Sequence, residues 1–444
     1  MKKLALTIVA VMLMSVFSTV SLSAISFSPQ TFTINSEAAY LVNLDTGTVI
    51  YEKNADKRLY PASLTKVMTA ILVLENISDL ENTMIEAPSY IFDELYGQNA
   101  STADFRPYET ASAEELLYGL MLQSACEAGS ILGHHVGGSV ENFVLMMNDK
   151  AKELGCENTN FVNAHGLHDD NQYTTASDMA KIMEYAVSLP KFTEIASTYS
   201  YEVGPSNKHS EPRSLYNTNK MLLKSSDYYY EPLRASKTGT TDEAGRCLAS
   251  TASLDGYNYL LVTMHGDLYD ADGNVYQSGF EDAKLLYDWA FTNFRQTKLL
   301  AQNEEIDEVA VQYAEEGADY VLVHSAEEFS MLWPTQIDPS TIIRDTELPQ
   351  MIDAPVKKGD VIGKLTLKVG GEELFTTDLI AANDVERSAL KYNLAVAKEF
   401  FSSFWFKLAV GIVIVLIVAY IFIWATVARK KRRMMKRVNK KRKF

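Results

Sequence analysis

Apolar and polar residues alternate with different periods along this chain, and each change of period marks a boundary. Ala39-Tyr40-Leu41-Val42 and Thr48-Val49-Ile50-Tyr51 are short β-type runs separated by Asp45-Thr46-Gly47, which predicts a hairpin. Apolar positions then recur at helical spacing from Ala113 to Leu122, Asn142 to Leu154, Ser177 to Val187 and Glu281 to Phe294. Strand-like runs intervene at Arg234 to Gly239, Arg246 to Ser253 and Tyr257 to Met264. Strands, then helices, then strands predict an α+β domain with an antiparallel sheet, placed at 36–294. Further on, Leu365, Leu367 and Val369 alternate with Lys364, Thr366 and Lys368, and Tyr320-Val321-Leu322-Val323 is another strand-like run. A small all-β domain is expected at 300–385. It holds no constellation of catalytic type, so a spacer or contact role suits it better than chemistry.

Two longer apolar stretches lie at the ends. Lys2 and Lys3 precede a run from Leu4 to Val20, and the small residues of Ser21-Leu22-Ser23-Ala24 offer a cleavage region, predicting a signal peptide over 1–24. Residues 388–407 form an expected helical connector with apolar Leu390, Leu394, Ala397 and Phe401, read as a stem continuing into a membrane span at 408–428. Leu408 to Ala428 carries no charge and matches the ~20 residues a helix needs to cross a bilayer. Aromatic residues flank it: Phe404, Trp405 and Phe406 at one end, Tyr420, Phe422 and Trp424 toward the other. The tail, 429–444, contains eleven Lys or Arg and no acidic residue, which places it in the cytoplasm and the rest of the protein outside the membrane.

Composition sharpens this. With 47% hydrophobic and 22% charged residues over 444 positions, the chain is globular and long enough for two folded units. The net charge is -16, and setting aside the basic tail and the two signal lysines leaves -29 on the exported part. Such acidity argues against a polyanion partner there. A basic run can bind nucleic acid, but as the flank of a span it has an ordinary explanation, so no nucleic-acid partner is expected. Cys126, Cys156 and Cys247 allow at most one disulfide and imply no framework.

Candidate chemistry begins at Ser63-Leu64-Thr65-Lys66, which follows Pro61-Ala62 and runs into the apolar stretch Val67 to Leu74. A helix opening at the serine turns about every 3.6 residues, so Lys66 falls one turn on, on the face of the Ser63 hydroxyl. A partly buried lysine can be neutral enough to take that proton. Spacing alone is weak: Ser188-Leu189-Pro190-Lys191 repeats it, and there Pro190 breaks the turn that would join the two side chains. A second element distinguishes Ser63. Lys237-Thr238-Gly239-Thr240 places a lysine and two hydroxyls on a predicted strand edge, suited to a substrate carboxylate, and its glycine allows a ligand close to the backbone. Such elements occur together, with a Ser-x-Asn between them, in penicillin-binding proteins and class A β-lactamases.

With these residues the chain resembles, from Ala38 to about Phe291, the low-molecular-mass penicillin-binding proteins that act as serine-type D-alanyl-D-alanine carboxypeptidases. The matching blocks are Leu44 to Asn54, Pro61 to Lys66, Asn160 to Leu167, Tyr173 to Met179 and Lys237 to Gly245. The resemblance implies a penicillin-binding/β-lactamase-like catalytic fold followed by the family's small β domain. It implies acylation of Ser63, with Lys66 as base, Ser124 as proton relay, and Lys237, Thr238 and Thr240 binding a peptidoglycan stem peptide that ends in D-Ala-D-Ala. β-Lactams would act as inhibitors at the same serine. No cofactor or metal is implied: His165, His168, Asp169 and Asp170 are the better candidate ligands, but they lie in a loop that the family shares without metal. His134 and His135 are adjacent and cannot share a helical face.

Two departures stand out. Cys126 occupies the place of the usual asparagine in Ser124-Ala125-Cys126 and cannot supply its amide donors and carbonyl acceptor, so altered substrate positioning is expected, or a small residue tolerated by packing. Gly279 stands where relatives often carry an arginine shortly before the last helix, leaving the carboxylate to Lys237, Thr238 and Thr240. The alternatives to a carboxypeptidase are a DD-transpeptidase using the same site and a catalytically weak cell-wall-binding scaffold. A β-lactamase is disfavoured because no glutamate with a following asparagine stands between Ala164 and Asn171.

Overall fold

The computed structural model describes residues 32–441; the signal-peptide expectation for 1–24 lies outside them. The first hairpin forms where the sequence places it. Strands β1 (Ala38–Asn43) and β2 (Val49–Lys53) pair antiparallel, and the turn is set by Asn43, whose Oδ1 accepts from Thr46 N at 3.0 Å and from Thr46 Oγ1 at 2.9 Å. Gly47, at φ +69°, supplies the left-handed residue that this turn requires.

The helical segments follow as α1 (Thr65–Asn76), α2 (Ala113–Leu122), α3 (Cys126–Gly137), α4 (Val140–Glu153), α5 (Ala176–Val187) and α6 (Pro190–Ser197). Their starts are encoded locally. Ser112 caps α2 through a reciprocal box, its Oγ accepting from Glu115 N at 3.1 Å while its own N donates to Glu115 Oε2 at 3.0 Å. Ser139 and Thr175 cap α4 and α5 in the same sense. Pro190 opens α6 at its first turn, so Ser188 closes one helix while Lys191 belongs to the next, where it pairs with Glu114 at 2.5 Å and Glu194 at 2.7 Å.

Strands β3 (Leu233–Thr241), β4 (Gly245–Leu254) and β5 (Tyr257–Gly266) complete an antiparallel sheet of order β2-β1-β5-β4-β3, and α7 (Ser278–Asn293) follows. Both faces of the sheet are buried. Leu260, Val262 and Met264 of β5 face a core shared with α1 and α5, whereas Tyr259 and Leu261 face one shared with Leu286, Tyr287 and Phe291 of α7. This two-sided burial explains why these strands read as nearly continuous apolar runs. β3, with its lysine and threonines, is the edge strand.

Described residues up to Thr297, with Met331–Asp338, make one compact unit; Lys298–Ser330 and the chain from Pro339 onward make the second. The division is therefore not contiguous in sequence: Leu332 returns to the core beneath α7. In the second unit, β6 (Glu305–Gln312), β7 (Tyr320–Ser325), β8 (Ile343–Glu347), β9 (Met351–Asp353), β10 (Val361–Val369) and β11 (Glu372–Ala381) form a sheet of order β8-β10-β11-β7-β6-β9, antiparallel except for the β6–β9 pair. The alternation predicted for β10 is realised, with Leu365 and Leu367 buried.

Two helices end the described chain, α8 (Ala389–Ser402) and α9 (Phe404–Lys441). Ser403 is extended between them (φ -63°, ψ 147°), so the connector is not a continuous stem. Within α9, Phe404–Met435 is long and apolar enough to cross a membrane, and the helix runs on into the basic segment, since Lys and Arg are good helix formers.

Candidate active site

Ser63 lies in a 3-10 turn, Ala62–Leu64, that leads into α1, rather than inside the α-helix that the spacing suggested. A 3-10 turn holds three residues, so the i and i+3 side chains still stack. Lys66 Nζ lies 3.0 Å from Ser63 Oγ, donates to the carbonyl of His165 and is 3.7 Å from Cys126 Sγ. Lys66 is fully buried, and burial pushes its pKa below the ordinary lysine range, opposed by the nearby Cys126 and Glu127.

Ser124 sits between α2 and α3 with φ +55°, a left-handed conformation uncommon for a residue with a side chain and costing on the order of 1 kcal/mol. Backbone bonds hold it there: Ala125 N donates to Gly119 O at 3.1 Å and Cys126 N to Ser101 O at 2.8 Å. The result aims the Ser124 hydroxyl at β3, where it accepts from Lys237 Nζ. Lys237 Nζ also donates to Thr238 O at 3.0 Å. Burial, and then the charge of Lys66, hold the Lys237 pKa well below its usual value.

Thr238 and Thr240 alternate with Lys237 along the edge strand. Thr238 Oγ1 lies 2.6 Å from Thr218 Oγ1. A cleft is lined by Ser63, Ser124, Thr218, Thr238, Thr240 and Arg246. Cys126, in the first turn of α3, is only 3% exposed, and its thiol lies 3.7 Å from Lys66 Nζ. Gly279 does lie on the cleft wall, at the start of α7.

Further contributors act on the site through the tertiary fold. Gly166, at φ +87°, packs its backbone so tightly on Ala62 that a Cβ there would overlap the Ala62 carbonyl oxygen. A Cβ at Gly239 would come within 3.0 Å of Pro61 O and 3.2 Å of Ser63 N, so this glycine lets the strand, and not only a ligand, close on the turn that carries Ser63. Glu127 is buried, its pKa raised by that burial, and its Oε1 accepts from Thr102 Oγ1 and Ala103 N at 2.7 Å, fixing the loop that holds Cys126 N. Gly166 falls inside a block matched by resemblance, which was the signal available for it.

The candidate ligand loop is used otherwise. His168 lies 3.3 Å from Asp170 and edge-on to Tyr60, while burial and Lys66 push His165 down to about 3. Among the described residues no three His, Cys, Asp or Glu side chains are grouped to hold a metal. All three cysteines are free and buried.

The sequence profile described as D-alanyl-D-alanine carboxypeptidase matches residues 25–267. The chain belongs to the D-alanyl-D-alanine carboxypeptidase family. A second profile, the C-terminal domain of penicillin-binding protein 5, matches 294–387. Among curated relatives, the D-alanyl-D-alanine carboxypeptidase DacF of Bacillus subtilis is 28% identical over 361 residues, covering 80% of this chain and 86% of that protein. A D-alanyl-D-alanine carboxypeptidase of a Streptomyces species is 30% identical over 233 residues, 50% of this chain and 78% of that protein. Among solved structures, penicillin-binding protein 5 of Haemophilus influenzae superposes with a TM-score of 0.58 at 28% identity, covering 81% of this chain and all of that one. The fold is thus the expected penicillin-binding type with a C-terminal β domain, and the carboxypeptidase family is that of a serine hydrolase.

Proposed function

We propose that the protein removes the terminal D-alanine from peptidoglycan stem peptides through an acyl-enzyme on Ser63. The observation that carries this reading is the 3.0 Å contact between Ser63 Oγ and a buried Lys66 Nζ whose basicity is lowered by burial. Neutral Lys66 takes the Ser63 proton as Oγ attacks the carbonyl between the two D-alanines. Backbone N–H groups of Ser63 and Thr240 receive the oxyanion, each such donor being worth roughly 3 kcal/mol. The Ser124 hydroxyl, bonded to Lys237, gives its proton to the departing D-alanine and regains one from the Lys66 ammonium, so that Lys66 is neutral again when water hydrolyses the ester. Thr238 and Thr240 hydrogen-bond the substrate's end, and Cys126 shapes the pocket indirectly through Lys66. β-Lactams acylate the same serine.

The apolar part of the helix Phe404–Met435 anchors the enzyme in the cell membrane, with the basic residues from Arg429 onward on the cytoplasmic side and the cleft outside. The test is labelling of full-length protein with a fluorescent penicillin, together with D-alanine release from a D-Ala-D-Ala peptide. Both are expected in the native protein and absent in Ser63→Ala. A folded native protein that does neither refutes the reading and leaves the wall-binding scaffold. An added amine acceptor separates hydrolysis from transpeptidation by its products.

A further inference from the structure

We infer that Arg246, on β4, binds the free carboxylate of the terminal D-alanine and so sets the enzyme's requirement for a carboxyl-terminal acid. This rests on the carboxypeptidase reading of the cleft. In the register of the β3–β4 ladder, Thr240 stands directly opposite Arg246 and Thr238 opposite Leu248. Paired residues share a face of the sheet, so the arginine joins the two threonines on the cleft side. Its Nη1 donates to Thr240 Oγ1 at 3.2 Å and its Nε to the Tyr276 carbonyl at 3.0 Å. Both partners are neutral, and among the described residues no carboxylate lies within ion-pair distance of it. The guanidinium is thus held in place and oriented, with its remaining N–H groups uncommitted in a cleft that a carboxylate must enter.

The neighbours leave this role open. Gly279 presents no side chain; a Cβ there would stand at ordinary contact distance from Leu248 Cβ (3.7 Å), Thr263 Oγ1 (3.8 Å) and Arg246 Cβ (3.9 Å), so nothing at 279 covers the guanidinium. Lys237 is a poor substitute as a permanent cation. It is fully buried, its Nζ is committed to Ser124 Oγ and Thr238 O, and burial beside Lys66 favours its neutral form. A guanidinium keeps its charge where an ammonium gives it up, and it offers the parallel N–H pair that matches a carboxylate. Carboxylate recognition thus falls to Arg246, while Lys237 supports the Ser124 relay.

The test compares two peptides with the full-length protein in detergent: an N-acylated L-lysyl-D-alanyl-D-alanine, and the same peptide with a C-terminal carboxamide. The native enzyme is expected to favour the acid by about tenfold or more in kcat/KM, as loss of a charge-assisted hydrogen bond implies. Arg246→Gln should reduce that preference by about tenfold or more, and Arg246→Lys, which keeps a cation but loses the parallel N–H pair, should retain only part of it. Equal rates on both peptides in the native enzyme overturn the inference without any variant. A proportional loss on both peptides in Arg246→Gln also overturns it, by assigning the arginine a structural role. If the native protein cleaves neither peptide and takes no fluorescent penicillin at Ser63, the carboxypeptidase reading itself has failed.

Discussion

Replacing Gly166 by alanine tests whether the position of Ser63, the proposed nucleophile, depends on a glycine about a hundred residues away in sequence. At φ +87°, an added Cβ would overlap the Ala62 carbonyl oxygen, lie 2.5 Å from the Ala62 carbonyl carbon and stand 3.0 Å from Ser63 N. Ordinary carbon contacts begin at about 3.5 Å, so one of the two backbones must move by about 1 Å. The left-handed conformation adds about 1–2 kcal/mol for any residue with a Cβ. Movement on the Ala62 side displaces the turn that carries Ser63; movement on the other side withdraws the His165 carbonyl that accepts from Lys66. Misplacement of a reacting group by about 1 Å can cost about a hundredfold. The second-order rate of acylation by a fluorescent penicillin is therefore expected to fall by about a hundredfold or more, with the protein still folded by circular dichroism and melting at a lower temperature. Gly239→Ala provides a graded comparison, because its closest contacts, 3.0 and 3.2 Å, need only a few tenths of an ångström; its loss should be about tenfold or less. Acylation of Gly166→Ala within threefold of native would refute the close-packing account.

Lys66→Ala should abolish detectable acylation while leaving the far-ultraviolet spectrum unchanged, since general-base removal costs about a hundredfold to ten-thousandfold; native rates in that variant would disprove the base assignment. Cys126→Asn is expected to keep or raise kcat/KM on a D-Ala-D-Ala peptide, as it restores amide donors beside Lys66, and a large loss would show the thiol to be adapted to another task. Glu127→Gln probes pH dependence. The carboxylate favours the ammonium form of Lys66, so its removal lets that proton leave at lower pH, and the ascending limb of kcat/KM should shift toward acid; an alkaline shift would contradict the sign.

The residues whose relation is local were legible in the sequence. Ser63 and Lys66 meet because three positions separate them, and this survives the exchange of an α-helical turn for a 3-10 turn. Relations that pass through the tertiary fold were not legible. No spacing connects Gly166 to Ala62, or Thr240 to Arg246 rather than to another residue of the next strand; the first requires the loop to fold back on the nucleophile, the second the register of the ladder. The contact of Cys126 with Lys66 is likewise tertiary, since it needs the first turn of α3 to lie against α1. The break at Ser403 was hidden because serine is compatible with helix and helix end alike.

The lowered basicity of Lys66 exists only inside the finished core. In an unfolded chain that lysine sits in water with an ordinary pKa and is an ammonium at neutral pH, so the neighbouring serine is no more reactive than any other. On the proposed mechanism, penicillin labelling of this protein is a conformational reporter: the fraction of molecules that take the drug counts those whose core has closed around Lys66.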